Sequence, residues 1–196
     1  MTTYQVTSMQ PVRAARPNGW WGMVLFVATE ATLFACLIAG WFYLRFQNTA
    51  WPPPGIPEPK VTLPLVLTAV LVATSIPMAF AYAVARRGRR GLAWLSILAA
   101  FAVQCVYLGV QIHLFRADLA KFPADSHAYA ASYFTLLAVD HVHVLVGILF
   151  NAWLLARLAT GLTRYRLVGL GAIAFYWHAV NVITVFVTLT ILSAAL

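Results

Sequence analysis

Glu30 is the only charged residue in an apolar run from Trp20 to Tyr43. In a helix rising about 1.5 Å per residue, that position falls near the middle of a bilayer. An ionised side chain at that depth costs roughly 2.5 to 3.5 kcal/mol on insertion scales, so it must face other helices or a polar cavity. Two further apolar runs carry polar groups at a similar depth: Asp140, His141 and His143 in one, His178 and Asn181 in the other. Carboxylates and imidazoles gathered inside a membrane can hold and pass a proton, ligate haem or a metal, or tie helices together by hydrogen bonds.

Spacing sorts these residues by face. Asp140, His143, Gly147 and Asn151 follow i, i+3, i+7, i+11 and share one stripe, while His141 lies on the opposite side of the same helix. An aspartate and a histidine three apart can exchange a proton, and a glycine on the stripe lets a neighbouring helix come close. His178, Asn181, Thr184 and Thr188 form a second stripe, led by Tyr176 and Trp177; Gln104, Tyr107 and Gln111 form a third. Facing stripes predict that Glu30, Asp140, His143, His178 and Asn181 converge as an inward-facing polar network. A transition-metal site needs three or four ligands, and His141 and His143 point apart. Haem iron would require His143 and His178 to face each other, with nothing else in the chain resembling a cytochrome. Proton handling and polar packing both stay open, and no metal or cofactor is expected in this chain.

The elements that position these groups follow from composition. Of 196 residues, 62% are hydrophobic and only 9% charged, where soluble domains carry about 25% charged residues. Apolar runs at 20–46, 62–85, 92–115, 130–156 and 167–195 each reach the roughly 20 residues that a spanning helix needs. None shows the period-two alternation of a barrel strand. The expected fold is therefore an all-α integral membrane protein, a bundle of five transmembrane helices forming one domain over 20–196 behind a polar arm at 1–19. Pro64 falls near the start of the second span, where it is tolerated, whereas Pro77 lies deep inside and should kink it.

The formal charge of +8 is not a nucleic-acid signature, because the basic residues collect at helix ends instead of along one stripe. Nine of them (Arg13, Arg16, Arg86, Arg87, Arg89, Arg90, Arg157, Arg164, Arg166) fall on one side, against Arg45, Lys60, Arg116 and Lys121 on the other. The positive-inside rule then puts the amino terminus in the cytoplasm and the carboxyl terminus outside. No h-region with a cleavage site marks a signal peptide. The proline-dense loop Trp51–Pro59 reads as a semi-rigid connector, either a docking surface or a spacer. Cys36 and Cys105, inside spans and without metal-type spacing, read as small packing residues.

Together the motifs resemble subunit III of the haem-copper terminal oxidases, the cytochrome c oxidase subunit III family. Trp21-Gly22-Met23 through Ala28-Thr29-Glu30-Ala31-Thr32-Leu33-Phe34 to Tyr43-Leu44-Arg45 is similar to that family's first core helix with its glutamate. Trp51-Pro52-Pro53-Pro54-Gly55-Ile56 and Leu63-Pro64-Leu65 resemble its outer loop, His143-Val144-Leu145-Val146-Gly147 its fourth-helix motif, and Tyr176-Trp177-His178-Ala179-Val180 its last. The likeness is to the short five-helix bacterial form. Asp140 stands where the family pattern has a further histidine, Asn181 where it has an aspartate, and Leu67 and Leu114 where it has an asparagine and an acid.

The resemblance implies a non-catalytic subunit of an oxygen-reducing, proton-translocating complex in the bacterial plasma membrane. Such a subunit packs against catalytic subunit I, other oxidase subunits and lipid, supports proton uptake and turnover stability, and leaves haem and copper to the catalytic partner. A quinol oxidase or nitric oxide reductase of the same family is the alternative membership. A proton-coupled transporter would use similar buried acids, but the chain lacks the inverted repeats and paired Gly/Pro interruptions of that class.

Overall fold

The computed structural model describes residues 17–195; most of the arm predicted at 1–19 lies outside the described residues. Six α-helices follow in order: α1 (Asn18–Gln47), α2 (Thr62–Ala73), α3 (Ser75–Arg86), α4 (Arg90–Leu119), α5 (Ala128–Ala159) and α6 (Arg164–Leu192), closed by a 3-10 turn at Ser193–Ala195. α2 and α3 together make one crossing, so five segments of 25 to 32 residues are long and apolar enough to span a membrane. Each coincides with a run expected from the sequence and extends it by a few residues, as polar helix ends reach beyond the hydrocarbon. Short connections make neighbouring spans antiparallel. Residues 57–64, 111–121 and 188–192 meet at one end, the loop end, and 17–20, 79–86 and 168–178 meet at the other, the arginine end.

Where a kink was expected, the second crossing is interrupted for one residue at Thr74, whose φ and ψ of −66° and −14° stay helical. Proline at 77 has no N–H to give the carbonyl four residues back, so the helical ladder lapses there. The Thr74 N–H turns instead to Leu71 O at 3.0 Å, and the Thr74 hydroxyl donates to that same carbonyl. α6 then fastens the break: Trp177 Nε1 donates to Thr74 Oγ1 at 2.8 Å and Asn181 Nδ2 to Ser75 Oγ at 2.6 Å.

α6 runs through the middle of the bundle and touches all the other spans except α4, whereas α1 lies at the edge against α5 and α6. Gly147 lets α5 and α6 meet: a Cβ there would stand 2.5 Å from Trp177 Cζ3, in a ring that is wholly buried. Several polar side chains bond from one span to the next, the usual way helices associate in a medium without water. Asn151 Nδ2 donates to Gln104 Oε1 at 2.8 Å, and the Thr68 and Thr188 hydroxyls lie 2.8 Å apart.

Two sequence expectations change. The connector is not a free spacer at its start, because Trp51 seats between Trp41 and Tyr129 with ring centroids 5.2 Å from each. Cys36 and Cys105 do not pack in the bundle; both are exposed on its outer surface. The reason is rotation: Cys36 is two residues past buried Phe34, and Cys105 one past buried Gln104, so each is turned away by about 200° or 100°.

Candidate functional site

On α1, Thr29 and Thr32 donate their hydroxyls to their own helix, to Phe26 O at 2.7 Å and Ala28 O at 2.9 Å. That leaves Glu30 as the one group of this stretch available to another helix. Twelve residues into α1, or about 18 Å by helical rise, it meets α5, which packs on α1 and brings His143 to the same depth. His143 Nε2 lies 2.7 Å from Glu30 Oε2. Phe34, one turn further along α1 and 2% exposed, closes over the imidazole edge-on at 5.0 Å between centroids.

The other imidazole nitrogen decides what this contact holds. His143 Nδ1 sits 2.7 Å from the Val139 carbonyl, an oxygen that only accepts, so Nδ1 carries a hydrogen. Nε2 then either carries a second hydrogen toward a carboxylate or accepts the hydrogen of a carboxylic acid. Either way one proton occupies the line between Nε2 and Oε2, and the two residues together are neutral. Both imidazole nitrogens are engaged in these contacts. Among the described residues no group of three or more His, Cys, Asp or Glu gathers around one point.

Asp140, one turn before His143, is buried at 2% exposure and accepts a hydrogen bond from the Thr184 hydroxyl at 2.7 Å. This is the meeting of the α5 and α6 stripes that the periodicity expected. Tyr176 ties α6 to α5 beside the first pair by donating its hydroxyl to the His143 carbonyl at 3.0 Å, and its ring stacks on Phe26 at 5.9 Å.

The single convergent network divides, however. Glu30 with His143 and Asp140 with Thr184 are separate bonded pairs, and Asn181 spends its Nδ2 on Ser75. His178 joins none of them. Tyr176 faces α5 and α1, and His178, two residues later, is turned about 200° from it. It lies half-buried in a groove at the arginine end with Tyr82, Arg86 and Trp20. Glu30 is also at the bundle's edge instead of inside it, with 20% of its side chain open, against 13% for His143. Thr74 and Ser75 escaped the sequence reading although they matter to the site's scaffold. A Thr-Ser pair just before a proline in a span was the available signal.

Comparison with known proteins covers the same stretch. The family model described as cytochrome c oxidase subunit III matches residues 7–194. The chain is 29% identical over 184 residues to the cytochrome bo(3) ubiquinol oxidase subunit 3 of Pseudomonas aeruginosa, covering 91% of this chain and 87% of that protein. It is 30% identical over 182 residues to the cytochrome c oxidase subunit 3 of Pisaster ochraceus, covering 87% of this chain and 68% of the relative. Against the cytochrome c oxidase subunit 3 of Lumbricus terrestris it is 29% identical over 170 residues and spans 65% of that protein's length.

Proposed function

The chain belongs to the cytochrome c oxidase subunit III family, and from that membership we propose that it works as the non-catalytic third subunit of a respiratory oxidase, covered on its α1–α5 side by the catalytic subunit. The observation that carries the reading is the Glu30–His143 pair at 2.7 Å, placed at mid-membrane on the rim of the bundle. A polar pair with part of its surface outside its own chain is poorly served by lipid. A neighbouring protein surface removes that exposure, and a pair holding one proton can take up or release it where the two subunits meet.

The remaining parts of the proposal follow from chemistry and family. Haem and copper belong to the catalytic partner, subunit I, which reduces oxygen. Basic residues gathered at one end of the spans support an amino terminus in the cytoplasm and a multi-pass location in a bacterial plasma membrane. Similarity to a ubiquinol oxidase subunit over 87% of its length favours a quinol-fed complex as the second reading of electron donor. Assaying the purified complex with quinol and with reduced cytochrome c decides that point.

Two variants test the role of the pair. Glu30→Gln keeps shape and a hydrogen-bonding group but removes the exchangeable carboxyl proton, so the subunit should stay bound while turnover decays several-fold sooner. Glu30→Ala leaves the rim of the bundle without its polar contact, and the subunit should be lost from the complex in detergent. Unchanged turnover and retention in both variants would refute the proposed role.

A further inference from the structure

At the loop end a cavity of about 190 Å³ opens between α2, α4, α5 and α6. A buried water needs about 10 to 15 Å³ of such space and two to four polar partners. Both conditions are met, because Glu58, Lys60, Gln111, Asp118, Lys121 and Thr188 share the lining with apolar wall. The cavity is a wet inlet that reaches into the membrane-spanning part of the bundle.

Polar groups continue inward from its walls. On α4, Gln111 Nε2 donates to the Tyr107 hydroxyl at 2.9 Å, and Tyr107 is 2% exposed. On α6, Thr184 stands one turn deeper than Thr188 and donates its hydroxyl to Asp140 Oδ1 at 2.7 Å. Tyr107 is twelve residues from the loop end of α4 and Asp140 twelve from the loop end of α5, so they share a depth on touching helices and lie within electrostatic reach. Among the described residues, the Tyr107 hydroxyl hydrogen has no acceptor and Asp140 Oδ2 has no donor.

Toward the arginine end the tracks stop. Gln104, one turn past Tyr107 on α4, bonds Asn151, and both are wholly buried. On α6, Asn181 and Trp177 beyond Thr184 are spent on Ser75 and Thr74. Side-chain amides and indole hold their hydrogens instead of passing them on. The titratable groups around Asp140 are Tyr107 from α4, Tyr176 from α6, His143 on α5 itself and, through His143, Glu30 from α1.

We infer that Asp140 takes up and releases protons through this inlet, in exchange with water at the loop end and not at the arginine end. A hydronium ion in the cavity gives a proton to a hydroxyl oxygen while that hydroxyl passes its own hydrogen to the carboxylate. Water and a carboxylic acid result, and rotation of the hydroxyl resets the path. Thr184 serves Oδ1, and Tyr107 serves Oδ2 directly or across one bridging water. By filling one lone pair of the Tyr107 oxygen, Gln111 leaves the hydroxyl hydrogen free for α5. The inference is independent of the Glu30 reading.

The test uses the assembled oxidase in sealed proteoliposomes of known orientation, with infrared difference spectra recorded after a pH jump on one side. Acidifying the loop end should raise a carboxyl C=O band that Asp140→Asn abolishes, and acidifying the arginine end alone should not. Leu137→Trp, which fills the inlet, should slow the band at least tenfold, and Tyr107→Phe should slow it severalfold. Glu30→Gln should give the parent's band, which separates this result from the fate of the Glu30 proposal. The inference is overturned by the absence of an Asp140 band, by a band that answers equally to either side, or by one whose rate Leu137→Trp leaves unchanged. If Leu137→Trp does not assemble, Thr188→Leu decides: slower appearance supports the inlet and an equal rate overturns it. Failure of a charged thiol reagent to modify Leu137→Cys from the loop end also overturns it, in favour of a dry cavity.

Discussion

The first and last spans, of 30 and 32 residues, are nearly matched in apolarity, their most apolar windows having mean hydropathy 2.0 and 1.8. Yet only 6% of the first span's most apolar window is buried inside the bundle, against 50% of the last. Apolarity puts a helix in the membrane; it does not say what the helix touches there. What distinguishes α6 is a set of small, hydroxyl and amide residues turned to its neighbours, with Gly171 against Tyr82, Trp177 at Thr74, Asn181 at Ser75 and Thr184 at Asp140. α1 reaches α5 through the Glu30 side chain and presents Trp21, Leu25, Leu33 and Phe46 outward.

That contrast breaks most visibly at Trp177. Trp177→Ala empties the junction of α3, α5 and α6 and removes the hydrogen bond that the Thr74 hydroxyl oxygen accepts, so unfolding in detergent should become easier by about 3 to 5 kcal/mol. A loss under 1 kcal/mol would mean that α6 does not organise the bundle. Next comes Gly147→Ala, whose added methyl meets a tryptophan ring fixed by its own hydrogen bond; overpacking of this kind costs about 1 to 3 kcal/mol. A thermal unfolding series that includes Gly40→Ala on α1, where a Cβ meets nothing, supplies the control. The smallest effect belongs to Leu25→Ala on the outward face of α1. The isolated chain should change by no more than about 0.5 kcal/mol, as at other surface positions. Any measurable loss of subunit retention in that variant would mark the α1 face as covered in the complex.

The spans were legible in the sequence because runs of apolar residues of bilayer length have few other uses. The pairing of stripes on α5 and α6 was legible too, since Asp140 and Thr184 each recur in a helical period. Which helix Glu30 would choose was not, because depth alone offers it Asp140, His143 and His178 equally. Rotation about α6 removes His178, and that angle depends on how Trp177 and Asn181 dock against a break in another span. The outward cysteines were misjudged for the same reason: small residues suit a helix contact, but only their azimuth decides whether they make one.

The fastening of Thr74 and Ser75 by α6 also sets an order of events during synthesis. Ser75 and Asn181 are 106 residues apart, so at about 5 to 20 residues per second the break leaves the ribosome some 5 to 20 s before its partner exists. Through that interval the Thr74 hydroxyl is occupied by Leu71 of its own helix. The second crossing can thus enter the bilayer as an unfinished part, and the bundle locks only when the last span arrives. A chain cut short before Asn181 would leave four spans inserted and the hinge unclaimed, a state that a membrane quality-control protease could tell from the finished fold.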